Sequence, residues 1–217
     1  MLGKMYPIIL KAFKPPSEKD DPSSGPLSGK VRRGALEELR RVDGRFLDIG
    51  CGEGLLLAEL LSINPEVKAY GLDSDLGQVD RCGDRMEEMG VWASLTVGDA
   101  SSLPYPDSFF DCASAVNIFY NLTEDVMRAI LRDAHRVLKP GGILVTDYRN
   151  GDNPFIKFRY WAAPYYDEGF RSGEKKLNAY KCKKIERIIS GAGFTVHKMH
   201  KIGRPIASAY LLVLKKN

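Results

Sequence analysis

A chain of 217 residues suffices for one domain with a substantial hydrophobic core and is short for two. With 44% hydrophobic and 28% charged residues, the composition points away from disordered, fibrous and membrane-embedded proteins. The formal charge of +4 fits an anionic partner but falls short of the basic footprint of a dedicated nucleic-acid binder.

The apolar stretch at residues 5–13 is broken by Lys11, closed by Lys14, Pro15 and Pro16, and followed by no small-residue cleavage site. It is also shorter than the roughly 20 apolar residues a membrane span needs. An amphipathic helix covering part of the domain is the expectation. Residues 15–29 are dominated by Pro, Ser, Gly and charges and read as a linker or lid, so residues 1–30 form an appendage and the domain occupies 31–217. Ser28 is placed to cap a helix over 31–41 with Val31, Leu36 and Leu39 on its apolar face.

From residue 45 onward, short apolar runs alternate with longer helical segments. Strands are predicted at 45–49, 67–72, 93–97, 111–116 and 143–147, with helices at 55–63, 75–89 and 124–138 between them. A polar, aromatic-rich insertion spans 148–180, followed by a helix near 183–190. Two strands at 194–201 and 207–215 close the chain as a hairpin, so one of them must run antiparallel to the rest. The fold class is therefore α/β: a doubly wound, Rossmann-like, mostly parallel seven-stranded sheet between two helical layers, with an antiparallel strand at its C-terminal end.

Within this pattern, Phe46-Leu47-Asp48-Ile49 runs into Gly50-Cys51-Gly52-Glu53-Gly54. Glycines at 50 and 52 let the main chain approach a ligand, and Gly54 lets the next helix start close to the strand. Asp73 ends the second strand 19 residues beyond Gly54, where a carboxylate suits the hydroxyls of a ribose. That acid serves a nicotinamide dinucleotide equally well. The glycine spacing does not: it is GxGxG rather than GxGxxG, and Asp48 aimed into the turn would repel a pyrophosphate while attracting ammonium and sulfonium charges.

These residues, with Val97-Gly98-Asp99-Ala100, Leu103-Pro104, Phe109-Phe110-Asp111 and 136–142 (Arg-Val-Leu-Lys-Pro-Gly-Gly), resemble a class I S-adenosylmethionine-dependent methyltransferase of the small type-11 group. The resemblance covers roughly residues 31–215 and implies S-adenosylmethionine as cofactor, S-adenosylhomocysteine as product and no metal. It places Asp48, Gly50, Cys51 and Gly52 around the methionine portion, counts Gly54 with the cofactor-binding turn, and puts Asp73 at the ribose and Asp99 with the Ala100 amide at the adenine edge. Asn117 would make a main-chain contact. Ser74 stands where relatives carry an apolar residue against the adenine, so Leu76 is the alternative cover.

Relatives often carry histidine after the fourth strand, whereas this chain has Ile118-Phe119-Tyr120-Asn121. Methyl transfer from a sulfonium relies mostly on positioning and desolvation. Where the acceptor must lose a proton, Tyr120 is the candidate base or orienter, with simple packing as its bland alternative. His135 reads as a surface or packing residue. His197 and His200, three apart in a strand, point to opposite faces and make no metal pair. Cys51, Cys82, Cys112 and Cys182 contain no CxxC pair, which suggests reduced thiols in a cytoplasmic protein.

The insertion interleaves Phe155, Phe158, Tyr160, Trp161, Tyr165, Tyr166, Phe170 and Tyr180 with Lys157, Arg159, Arg171, Lys175 and Lys176. It leaves from the carboxyl end of a strand, where open α/β sheets bind ligands, and so is expected to cover the acceptor. A small-molecule acceptor is favoured over RNA or protein. A domain that binds the cofactor without catalysis, as a regulatory subunit, is the reading from another class.

Overall fold

A computed structural model describes residues 26–166, 168–172, 178–203 and 206–217. The expected helix at 5–13 and most of the linker lie outside them. In chain order the elements are α1 (Pro26–Leu39), β1 (Arg45–Ile49), α2 (Leu55–Ile63), β2 (Lys68–Asp73), α3 (Leu76–Glu88), β3 (Ser94–Val97) and β4 (Phe110–Ala115). A 3-10 turn, Phe119–Asn121, precedes α4 (Glu124–Val137), β5 (Leu138–Arg149), α5 (Pro154–Tyr166), α6 (Glu168–Ser172), α7 (Cys182–Gly191), β6 (Phe194–Ile202) and β7 (Ala209–Lys216).

The strands form one sheet in the order β3-β2-β1-β4-β5-β7-β6. All neighbours from β3 to β5 are parallel, and β7 runs antiparallel to both β5 and β6. This is the seven-stranded doubly wound fold, with β7 as the reversed strand. Alternation along the strands supplies two apolar faces. Leu47 and Ile49 join the core formed with α4 and α7, whereas Phe46 joins that formed with α1, α2 and α3.

Each helix matches the face it covers. α3 buries only Val79, Cys82 and Met86, one stripe, and starts on Asp75, whose carboxylate accepts the Gln78 N–H at 3.0 Å. α2 buries Leu56, Leu57, Ala58, Leu60 and Leu61, because the sheet, α1 and α3 surround it. Among the described residues, no helix is long and apolar enough to cross a membrane.

Four expectations change. The first helix starts at Pro26, so Ser28 lies inside it rather than capping it. Its hydroxyl and carbonyl are instead held by Arg149 and Asn117, at 3.3 and 3.2 Å. Leu36 is only partly buried, and Val31, Ala35 and Leu39 form the apolar face. β5 begins at Leu138, five residues early, because Leu138 pairs with Phe110 before the register resumes at Ile143. The insertion is largely helical, and its return is tied down where Tyr180 N–H donates to Arg149 O and Gly151 N–H to Tyr180 O, both at 3.0 Å.

Candidate active site

Between β1 and β4 the winding of the sheet changes direction, which opens a crevice beyond the strand ends. A cavity of about 370 Å³ occupies it, lined from β1 and its turn by Asp48, Gly50, Cys51, Gly52 and Glu53. Asp73, Asp75 and Gln78 follow from β2 and α3, Val116, Asn117, Ile118 and Tyr120 from β4, and Arg32 from α1.

The turn is fastened through its main chain. Gly50 and Cys51 N–H both donate to Leu72 O, at 2.7 and 3.0 Å, and Gly54 N–H to Cys51 O at 2.9 Å. All three glycines are left-handed, with φ of 72°, 53° and 74° at Gly50, Gly52 and Gly54. Their spaces differ. A Cβ on Gly52 would face open cavity, its nearest neighbour being Gln78 Oε1 at 3.7 Å, whereas one on Gly54 would strike Cys82 Sγ. Gly52 serves close approach to a ligand and Gly54 the packing of α3, in the division of labour expected of them.

Two carboxylates face this space in different states. Asp73 is half-buried; Oδ2 accepts Gly52 N–H at 2.9 Å and Oδ1 accepts Asp75 N–H at 3.0 Å, leaving one lone pair on each oxygen. Asp48 is buried, and among the described residues its hydrogen bond is a 2.5 Å contact from Ser114 Oγ. Burial pushes its pKa up to about 7, the Ser114 bond opposes this, and the nearby Asp73 charge adds to the rise. An acid desolvated in a cavity wall, with no cation paired to it among the described residues, fits a positively charged ligand, and Asp73 fits a pair of vicinal hydroxyls. An amino-acid sulfonium joined to a nucleoside carries both.

Asn117 adopts φ 62°, a left-handed angle that asparagine tolerates better than most residue types. Its N–H donates to Asp147 Oδ1 at 2.6 Å and its side-chain oxygen accepts from Arg149 Nη2 at 3.1 Å. Arg149 also pairs with Asp147 at 2.8 Å, both side chains being buried, and its guanidinium lies 4.5 Å from the centre of the Tyr120 ring. Burial holds the Asp147 carboxyl above its usual range despite that pair. Arg149, Asp147 and Arg32 were not among the sequence candidates; single charged residues on a helix or strand end carry no motif.

The cavity thus gathers Asp48, Gly50, Cys51, Gly52, Asp73, Asn117 and Tyr120 of the predicted residues. Gly54, Ser74, Asp99 and Ala100 lie outside its lining. Ser74 and Asp99 are exposed on the same rim as Leu76, which is 61% exposed, and Asp99 accepts the Ser101 N–H at 2.8 Å. The neighbouring Cys82 thiol, together with burial, pushes the Cys51 thiol up. All four cysteines are free, and the described residues contain no group of three or more metal-ligating side chains. His200 instead pairs with Glu38 at 3.0 Å, and His135 packs edge-on against Phe194.

The motif around 136–142 has a structural role. Arg136 bonds Asp133, Asp107 and the carbonyls of Leu103 and Tyr105 at 2.7–2.9 Å, clamping the loop that leaves β3. Lys139 and Arg45 N–H both bind the Asp111 carboxylate, at 2.5 and 2.9 Å.

A family model described as "Methyltransferase domain" matches residues 46–142. The chain is 35% identical over 106 residues to 27-O-demethylrifamycin SV methyltransferase of Amycolatopsis mediterranei, covering 48% of this chain and 38% of that one. It is 33% identical over 135 residues to the tRNA (carboxymethyluridine(34)-5-O)-methyltransferase of Arabidopsis thaliana, covering 62% and 28%. The chain spans between 18% and 48% of the length of the first curated relatives it matches. A solved S-adenosylmethionine-dependent methyltransferase from Methanosarcina mazei superposes with a TM-score of 0.68 at 21% identity, over 84% of this chain and 96% of its own.

Proposed function

We propose that the chain is a class I S-adenosylmethionine-dependent methyltransferase and transfers the methyl group of that cofactor to a small-molecule acceptor bound above the strand ends. The observation that carries this reading is the buried Asp48 carboxylate in the wall of a cavity that also presents Asp73. Bound S-adenosylmethionine supplies an activated methyl group, so the protein has little covalent work to do.

In this reading Asp48 supplies the charge opposite the ammonium and sulfonium, while Gly50, Cys51 and Gly52 permit close approach of the methionine portion. Asp73 accepts from the ribose hydroxyls with its remaining lone pairs. The adenine lies over the rim, against Ser74 or Leu76, with Asp99 and the Ala100 amide at its edge. Asn117 offers its main chain, and Tyr120 orients the acceptor or takes its proton. Gly54 keeps α2 and α3 close enough to hold the turn.

Small-molecule chemistry is supported by the modest net charge of +4 and by the aromatic helix α5 beside the strand ends. The relatives named for an antibiotic precursor and for a tRNA leave both acceptor classes represented among similar proteins. A cofactor-binding subunit without catalysis is the reading from another class. Calorimetry with S-adenosylmethionine, S-adenosylhomocysteine and NAD, followed by a metabolite-extract screen with methyl-labelled cofactor, tests the proposal. Binding of the first two ligands only, with label passing to a small molecule, is the expected result. Preferential NAD binding would overturn the cofactor reading, and label passing only to RNA or protein would overturn the acceptor class.

A further inference from the structure

The cavity is lined by four acids, Asp48, Glu53, Asp73 and Asp75, and by one cationic residue, Arg32. Such a balance suits the positive end of a zwitterion and leaves its negative end to a single group. Glu53 does not compete for that group, since Arg81 and Arg85 bind it from α3 at 3.0 and 3.4 Å. Arg32 uses only Nε, which donates to Glu59 at 3.3 Å, and its side chain is 19% exposed. Among the described residues no acceptor is recorded for its two terminal nitrogens.

The side chain is also held in place. Ser28 and Arg32 lie four residues apart, on one face of α1. Ser28 is clasped by Asn117 and Arg149, and Asn117 itself lines the cavity. Val31, Ala35 and Leu39 are buried against the sheet, which fixes the rotation of the helix. The guanidinium fork, anchored through Nε, therefore presents its terminal N–H groups as a preset site for a carboxylate, where paired donors match paired oxygens.

We propose that Arg32 binds the α-carboxylate of the amino-acid portion of S-adenosylmethionine and S-adenosylhomocysteine, so that α1 completes the cofactor site. The proposal rests on the reading that this cavity holds that cofactor. It assigns the two poles of the ligand to two elements: the cationic pole to Asp48 on β1 and the anionic pole to Arg32 on α1.

The test compares S-adenosylhomocysteine with 5′-methylthioadenosine, which keeps the nucleoside and sulfur but lacks the amino-acid carboxylate. By calorimetry, Arg32→Gln should weaken S-adenosylhomocysteine at least tenfold and leave methylthioadenosine within about twofold of the parent. Equal weakening of both ligands, or of neither, would overturn the assignment while leaving the cofactor reading intact. If the parent bound neither nucleoside, the cofactor reading itself would fail. The unmodified chain gives a test independent of any variant: decarboxylated S-adenosylmethionine should bind at least tenfold more weakly than S-adenosylmethionine, and equal affinity would overturn the proposal.

Discussion

The glycine turn after β1 and the helical segment after β5 both lie beyond strand ends, yet they are built in opposite ways. In the turn the main chain does the work: Leu72 O takes two N–H groups and the Asp73 carboxylate a third. The segment presents side chains instead. Phe155, Trp161 and Tyr165 are each about 60% exposed on α5, and the Trp161 ring meets those of Phe158 and Tyr165. A main-chain site tolerates little change because its geometry is shared by many bonds. A side-chain surface can be altered residue by residue, so under the proposed reading acceptor preference can drift while cofactor binding stays in place.

The contrast is broken most directly at Gly52. Gly52→Val puts a branched side chain into open cavity at a left-handed angle, so S-adenosylhomocysteine binding should fall by more than a hundredfold in calorimetry while the far-ultraviolet spectrum stays native. Retained affinity in a folded variant would remove the close-approach argument.

Asp48→Asn should separate stability from binding. Because the folded-state pKa of Asp48 is raised from 3.8 to about 7, the folded state holds a proton that the unfolded chain releases between those values. Stability therefore falls as pH rises through that window, by up to about 4 kcal/mol by linkage. The variant should melt above the parent at pH 8, with the gap closing toward pH 4, yet bind S-adenosylmethionine more weakly at pH 8. A pH-independent melting difference would sink the argument.

A smaller effect is expected at Asp73→Ala, which removes charge-assisted bonds and should weaken cofactor binding by roughly 1.5–3 kcal/mol. Calorimetry showing unchanged affinity would mean that the ribose lies elsewhere. The smallest effect on the cofactor should come from Trp161→Ser combined with Tyr165→Ser: affinity within about twofold of the parent, but acceptor turnover lost once an acceptor is known. Equal loss of both would make α5 part of the cofactor site.

How far the sequence foretold this structure varies with the origin of each feature. β1 and α2 have their predicted bounds because the apolar run, the glycines and the helical run follow one another without ambiguity. Ser28 was misread because capping chemistry is local, whereas its actual partner Arg149 is 121 residues away. α5 was concealed by aromatic crowding and by Pro164, which obscure a helical period. Asp48 and Asp73 were legible from type and spacing. Arg32, Asp147 and Arg149 were not, since only the folded chain brings α1, β4 and the end of β5 together.

If a cationic ligand seats against Asp48 as proposed, the burial of that carboxyl makes ligand uptake a proton-releasing event. In the free protein near pH 6 this carboxyl is mostly protonated, given its pKa of about 7. A cation seated against it favours the ionised form and drives the proton into solvent. The heat measured on binding should then vary with the ionisation enthalpy of the buffer. The slope of that dependence would count the protons expelled, approaching one at pH 6 and vanishing at pH 9.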